Sequence, residues 1–161
     1  MKRLAILVSV LAIGAAGCGS KSTPTAPSNT TVFGPITLLP SNEVPPVTNG
    51  ENVARGTAVI TVHKDTNAID FSVNVNSFPA GSTLTAAHIH NGPAGVAAGV
   101  FVSTGLSSAT LPSVASGSGT FSVTVTATAD QVSQILANPA GFYFNVHTVA
   151  NGPGVMRGQL K

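Results

Sequence analysis

At 161 residues, 43% of them hydrophobic, the chain is long enough for one sizeable core, and its 7% of charged residues is far below the roughly 25% of average proteins. Its formal net charge of +2 belongs to Lys2 and Arg3, so the rest is balanced and has no basic patch to release counterions from a phosphate backbone, which argues against nucleic-acid binding. Cys18 is the only cysteine, so no intrachain disulfide can form.

The N-terminus reads as a signal peptide over residues 1–17. Lys2 and Arg3 form a charged start, Leu4 to Ala16 an apolar stretch, and small residues lead to Cys18. The apolar stretch falls well short of the roughly 20 residues that span a hydrocarbon core. Ala15-Ala16-Gly17-Cys18 resembles the bacterial lipobox, which implies lipidation of Cys18 and attachment to a membrane through it. Gly19 follows the cysteine rather than Asp, which favours the outer membrane if the cell is Gram-negative. Residues 18–31, rich in Ser, Thr and Pro, read as a lipidated flexible tether, leaving 32–161 as the folded domain.

Within that domain strands follow one another. Thr57 to His63 alternates with Ala58, Ile60 and Val62 on one face, and Ile69 to Val75 does so with Ile69, Phe71, Val73 and Val75. The polar Lys64 to Ala68 suits a hairpin between them. Thr120 to Thr126 repeats the alternation through Phe121, Val123 and Val125, and Gly141 to His147 carries the aromatic and β-branched residues that pack in sheets. One helix is predicted near 129–137. Thr128 and Gln131 fit a capping box at its start, Val132, Ile135 and Leu136 form its apolar stripe, and Asn138-Pro139 stops it. The fold class is all-β, a sandwich or small barrel with one short helix.

His90 to Val102 parallels Asn151 to Lys161, pairing Asn91-Gly92-Pro93 with Asn151-Gly152-Pro153, and each copy follows a strand that ends in histidine. Two half-domains of one plan packed face to face would give this pattern, and the Asn-Gly-Pro steps read as tight turns. Strand neighbours point to opposite faces. If Ile89 and Val146 face the core, His88 and His90 point away from it together, and His147 does so with Asn145 and Tyr143.

His-x-His on a strand with a third histidine from another strand can hold copper or zinc, because alternate residues on one face bring two imidazoles to one ion. His88, His90 and His147 are therefore the candidate metal ligands, with copper or zinc the candidate cofactor. The alternatives are that they are polar residues lining a surface groove or bonded to loop carbonyls with no ion, or that they recognise an organic ligand; either leaves room for a protein or small-ligand partner. His63, Asp65 and Asp70 have nothing that places them near His88. No catalytic residue is identified: there is no Gly-x-Ser-x-Gly elbow, no phosphate-binding loop with a lysine and no cysteine nucleophile in the domain, and Glu43 and Glu51 sit in loops. Arg157 suits an acidic partner or loop carbonyls.

Leu39-Pro40-Ser41-Asn42-Glu43-Val44-Pro45-Pro46, then Ala87-His88-Ile89-His90-Asn91-Gly92-Pro93-Ala94, then Asn145-Val146-His147-Thr148 and Arg157-Gly158-Gln159-Leu160 together resemble the CHRD domain family, named for chordin and found widely in bacterial secreted proteins. The resemblance covers about residues 36–161 and departs at Val155, where the family often has Glu. It implies an immunoglobulin-like or Greek-key β-sandwich and, by way of chordin, an extracytoplasmic binding or scaffold module without established catalysis. The His88-Ile89-His90 strand is also similar to the copper-binding strand of copper-zinc superoxide dismutases. There is no disulfide pair, no identifiable zinc loop and no fourth histidine that the pattern places with the others, so dismutase activity is not expected.

Overall fold

The structure is a computed structural model that describes residues 29–161. The expected signal peptide, the lipidation site Cys18 and the tether up to residue 28 lie outside the described residues. Eight strands and one helix follow in order: β1 (Thr30–Leu38), β2 (Arg55–His63), β3 (Ala68–Asn76), β4 (Leu84–Asn91), β5 (Val100–Ser103), β6 (Gly119–Thr126), α1 (Ala129–Ala137), β7 (Phe142–Thr148) and β8 (Met156–Gln159). They form two four-stranded antiparallel sheets, in the orders β1-β2-β3-β6 and β5-β4-β7-β8. The all-β sandwich with one short helix is thus the observed class. β1 begins two residues ahead of the expected boundary, with Thr30 and Thr31 opposite His63 and Val62.

The alternating residues do what their period predicts. Ala58, Ile60, Val62, Ile69, Phe71, Val73 and Val75 are buried, and they face Ile89, Phe144 and Val146 of the second sheet. Phe71 and Phe144 meet across the sandwich with ring centroids 5.5 Å apart. The helix α1 carries the chain from β6 in one sheet to β7 in the other. Its capping box closes as expected between Thr128 and Gln131, and Val132 and Ile135 are buried beneath it. At the bulge in β1, Gly34 has φ +121, and a Cβ there would stand 2.6 Å from the Ala58 carbonyl oxygen.

Two features depart from the sequence reading. The paralleled segments do not build two half-domains packed face to face. They are the hairpins β4–β5 and β7–β8, lying side by side in one sheet with β4 and β7 at its centre. Antiparallel pairing joins the two like strands edge to edge, so their shared pattern ends up on one face of one sheet. The left-handed residues of the connecting loops are Gly95 and Gly154, three and two places beyond their Asn-Gly steps, because the turns close from Pro93 to Val96 and from Asn151 to Gly154.

The other departure is burial. Every residue of β7 is buried, on both faces. One face meets the first sheet, and the other lies under the segment 40–53 and the loops after β4 and β7, so the second sheet is a middle layer.

Candidate metal centre

The covered face of the second sheet is polar. Antiparallel register sets His88 of β4 directly opposite Asn145 of β7, and His90 opposite Tyr143, while His147 is the next residue on that face of β7. Residues opposite one another in such a pair have Cβ atoms about 5 Å apart, and diagonal neighbours remain within reach of an imidazole. The three predicted histidines do converge. One nitrogen from each of His88, His90 and His147 lies within 4.8 Å of the other two. His88 Nδ1 is 3.1 Å from His147 Nε2, and the His90 ring lies 5.8 Å from that of His88 and 6.0 Å from that of His147.

The loops orient the rings. His90 Nδ1–H donates to the Ala98 carbonyl at 2.8 Å, and His147 Nδ1–H donates to the Gly152 carbonyl at 2.8 Å. A carbonyl only accepts, so each ring in its neutral form carries its proton on Nδ1, and Nε2 of His147 then accepts from His88 Nδ1–H at 3.1 Å. His90 Nε2 is buried and has no hydrogen-bond partner. Metal-binding imidazoles are commonly oriented in this way, by an outer carbonyl on the second nitrogen. The Gly152 loop is pinned in turn: Thr148 Oγ1–H and Asn151 Nδ2–H both donate to Glu51 Oε2, at 2.5 and 2.6 Å.

Electrostatics disfavour a charge on His88 and His147. Burial, followed by the neighbouring His147 and His90, pushes His88 down from 6.5 to about 4. Burial also lowers His147, against the opposing Gly152 carbonyl, and His90 lowers it further. Both rings are thereby held in the neutral form at neutral pH.

Behind the cluster lies a buried polar chain that sequence reasoning did not assemble. His147 Nε2 is 3.0 Å from Asn145 Oδ1, and Asn145 is 1% exposed. Asn145 Nδ2 and Glu43 Oε1 both lie within 2.8 Å of the point where a Cβ on Gly154 would stand, so glycine is required there, and its φ of +143 requires it as well. Glu43 Oε2 lies 3.9 Å from Arg157 Nε. Arg157 is 2% exposed, donates to the carbonyls of Asn42 and Val96, and sits 4.3 Å above the ring of Tyr143, which also stacks on His90 at 4.8 Å. Burial raises Glu43 from 4.5 to about 7, opposed by the charge of Arg157 and by the Asn145 amide.

Beyond Glu43 and Arg157 opens a cleft of about 670 Å³, lined also by Ile36, Thr37, Ser41 and Gln159. No histidine lines it. His63 and Asp70 lie elsewhere, on the outer face of the first sheet. There His63 Nε2 meets Asp70 Oδ2 at 2.7 Å, and Thr124 Oγ1–H donates to Asp70 Oδ1 at 2.7 Å, which lowers the Asp70 carboxyl. Strand parity placed Asn145 on the histidine face, and that was the available signal for it. Nothing in the loop composition around Glu43 announced its burial.

The family model for the CHRD domain matches residues 35–160. The chain belongs to the CHRD domain family. The match takes in the end of β1, all of β2 to β8, the segment that carries Glu43, and all three histidines. No curated protein and no solved structure matches this CHRD chain.

Proposed function

We propose that this CHRD domain is a binding module whose ligand is a first-row transition-metal ion, copper or zinc, held by His88, His90 and His147. The observation that carries the reading is the buried, unpartnered Nε2 of His90, beside a His88–His147 nitrogen pair 3.1 Å apart. Leaving a buried acceptor unpaired costs about 1–3 kcal/mol, and an ion at the centre of the three imidazoles removes that penalty. An all-imidazole donor set suits copper and zinc alike, and on such a set Cu(II) binds the tighter of the two. Residues 1–18 support display of the module outside the cytoplasmic membrane on a lipid attached to Cys18. When bound, the ion supplies Lewis acidity and, for copper, one-electron chemistry. The chain's own part is to present three imidazoles and to hold two of them by loop carbonyls.

Metal analysis of purified wild-type protein and of the His88→Ala, His90→Ala, His147→Ala triple variant tests the reading. One bound ion per chain is expected in the wild type and none in the variant, with His63→Ala behaving as wild type. A hundredfold excess of free metal over Kd adds about 2.7 kcal/mol of stability to a chain that binds only when folded. Equal metal content and equal thermal shift in wild type and triple variant sink the proposal.

A further inference from the structure

Three histidines leave one place in a tetrahedral set, and no fourth histidine, cysteine or carboxylate joins the cluster among the described residues. We infer that Asn145 fills that place through Oδ1, an inference that rests on the metal-binding reading. Two donors about 2.0–2.1 Å from a common ion stand about 2.9 Å apart at a right angle and about 3.4 Å apart at the tetrahedral angle. The observed separations from His147 Nε2 are 3.1 Å to His88 Nδ1 and 3.0 Å to Asn145 Oδ1. Both are spacings of ligands around one centre, and the first is also that of the hydrogen bond from His88 Nδ1–H to His147 Nε2 that an ion would replace.

Hydrogen bonding points the same way. His147 Nε2 carries no hydrogen, because Nδ1–H is engaged with Gly152, and an amide oxygen carries none either. Two acceptors therefore face each other at 3.0 Å, and a cation between them would turn the repulsion into attraction. With the amide turned over, Nδ2–H would donate to His147, but Oδ1 would then be set against the Glu43 carboxyl group. In the observed orientation Nδ2 lies on the Glu43 side, where neither it nor Glu43 Oε1 has a hydrogen-bond partner. The side chain is also placed to act as a donor by the register, directly opposite His88 and one step along β7 from His147.

The test compares wild-type protein with Asn145→Ala and Asn145→Asp. Zn(II) affinity is read by competition with a chromophoric chelator, and the Cu(II) sites by electron paramagnetic resonance. Asn145→Ala is expected to bind Zn(II) at least about tenfold more weakly, while Asn145→Asp, which keeps an oxygen donor at the same point, binds at least as tightly as wild type. Both variants are expected to shift the Cu(II) parallel g and hyperfine values. Weaker binding by Asn145→Asp overturns the inference, because it would make the amide N–H rather than the oxygen the group that matters. Unchanged affinity and spectrum in both variants, with a metal-loaded wild type, overturn it while leaving the three-histidine site intact. A wild type that takes up neither ion overturns both. If Asn145→Ala does not fold, Asn145→Asp decides by the same criteria.

Discussion

Glu43→Gln separates the energetic role of the buried carboxyl from that of the histidines beside it. Burial holds the carboxyl at about 7 in the folded protein, against 4.5 for the exposed group. A folded-state value above the unfolded one means that the folded chain binds the proton more tightly, so the contribution to stability is fully present below 4.5 and lost as pH rises through about 7. At about 1.4 kcal/mol per pH unit, that interval corresponds to about 3 kcal/mol. His88 acts in the opposite sense. Its folded value of about 4 lies below 6.5, so its contribution is present above 6.5 and lost as pH falls through 4. The wild-type stability profile thus mixes two opposed slopes, and only a difference measurement isolates Glu43. Gln mimics the protonated acid and cannot titrate. Urea unfolding of both proteins from pH 4 to 8, with chelator present to keep them metal-free, gives the difference directly. The stability of wild type minus that of Glu43→Gln is expected to fall by about 3 kcal/mol between pH 4.5 and 7.5. A difference independent of pH, or one that grows with pH, refutes the reasoning. The second result would mean that Arg157 stabilises the carboxylate by more than burial penalises it.

Phe144→Ala removes a fully buried ring from the contact between the sheets and is expected to cost about 3–5 kcal/mol, read by denaturant unfolding. A double-mutant cycle with Phe71→Ala should return a coupling of about 0.5–1.5 kcal/mol, whereas strict additivity would deny the aromatic contact any energy of its own. Arg157→Lys keeps the charge but loses the fork that reaches two carbonyls and the flat contact with Tyr143, so a loss of about 2–3 kcal/mol is expected by the same assay. A lysine variant as stable as wild type would show that charge alone suffices at this position.

Strand period was enough to place Ile60, Phe71, Val123 and Val146 on core faces, and the capping box was enough to start α1 at its observed residue, because both are local signals. The same period put His88, His90 and His147 on one face each. It could not say that β4 and β7 pair with each other, since pairing is a contact between residues far apart in sequence. The repeat was therefore read as two facing halves rather than as two hairpins of one sheet. The burial of Glu43, Glu51 and Arg157 was illegible for a related reason. Each is covered by an irregular segment whose path is fixed by long-range hydrogen bonds, such as Asn42 Nδ2–H to the Arg157 carbonyl, and such segments carry no period of their own.

The distribution of unpaired groups ties the fold to the site. Among the described residues, the buried side-chain atoms without a hydrogen-bond partner are Glu43 Oε1, His90 Nε2, Asn145 Nδ2 and Arg157 Nη2. None lies in the apolar layer between the sheets, and all belong to the polar chain on the far face of the second sheet. Each such atom costs about 1–3 kcal/mol if nothing joins it, a heavy load for a domain without a disulfide to offset it. Imperfect packing would scatter such defects, whereas a site prepared for a ligand gathers them. Here the one acceptor that faces the other imidazoles is a histidine nitrogen whose tautomer is already set by the Ala98 carbonyl. Under the proposed reading an ion would relieve that one atom, and the other three belong to the Glu43–Asn145–Arg157 part of the chain, which lies outside the three-histidine cluster.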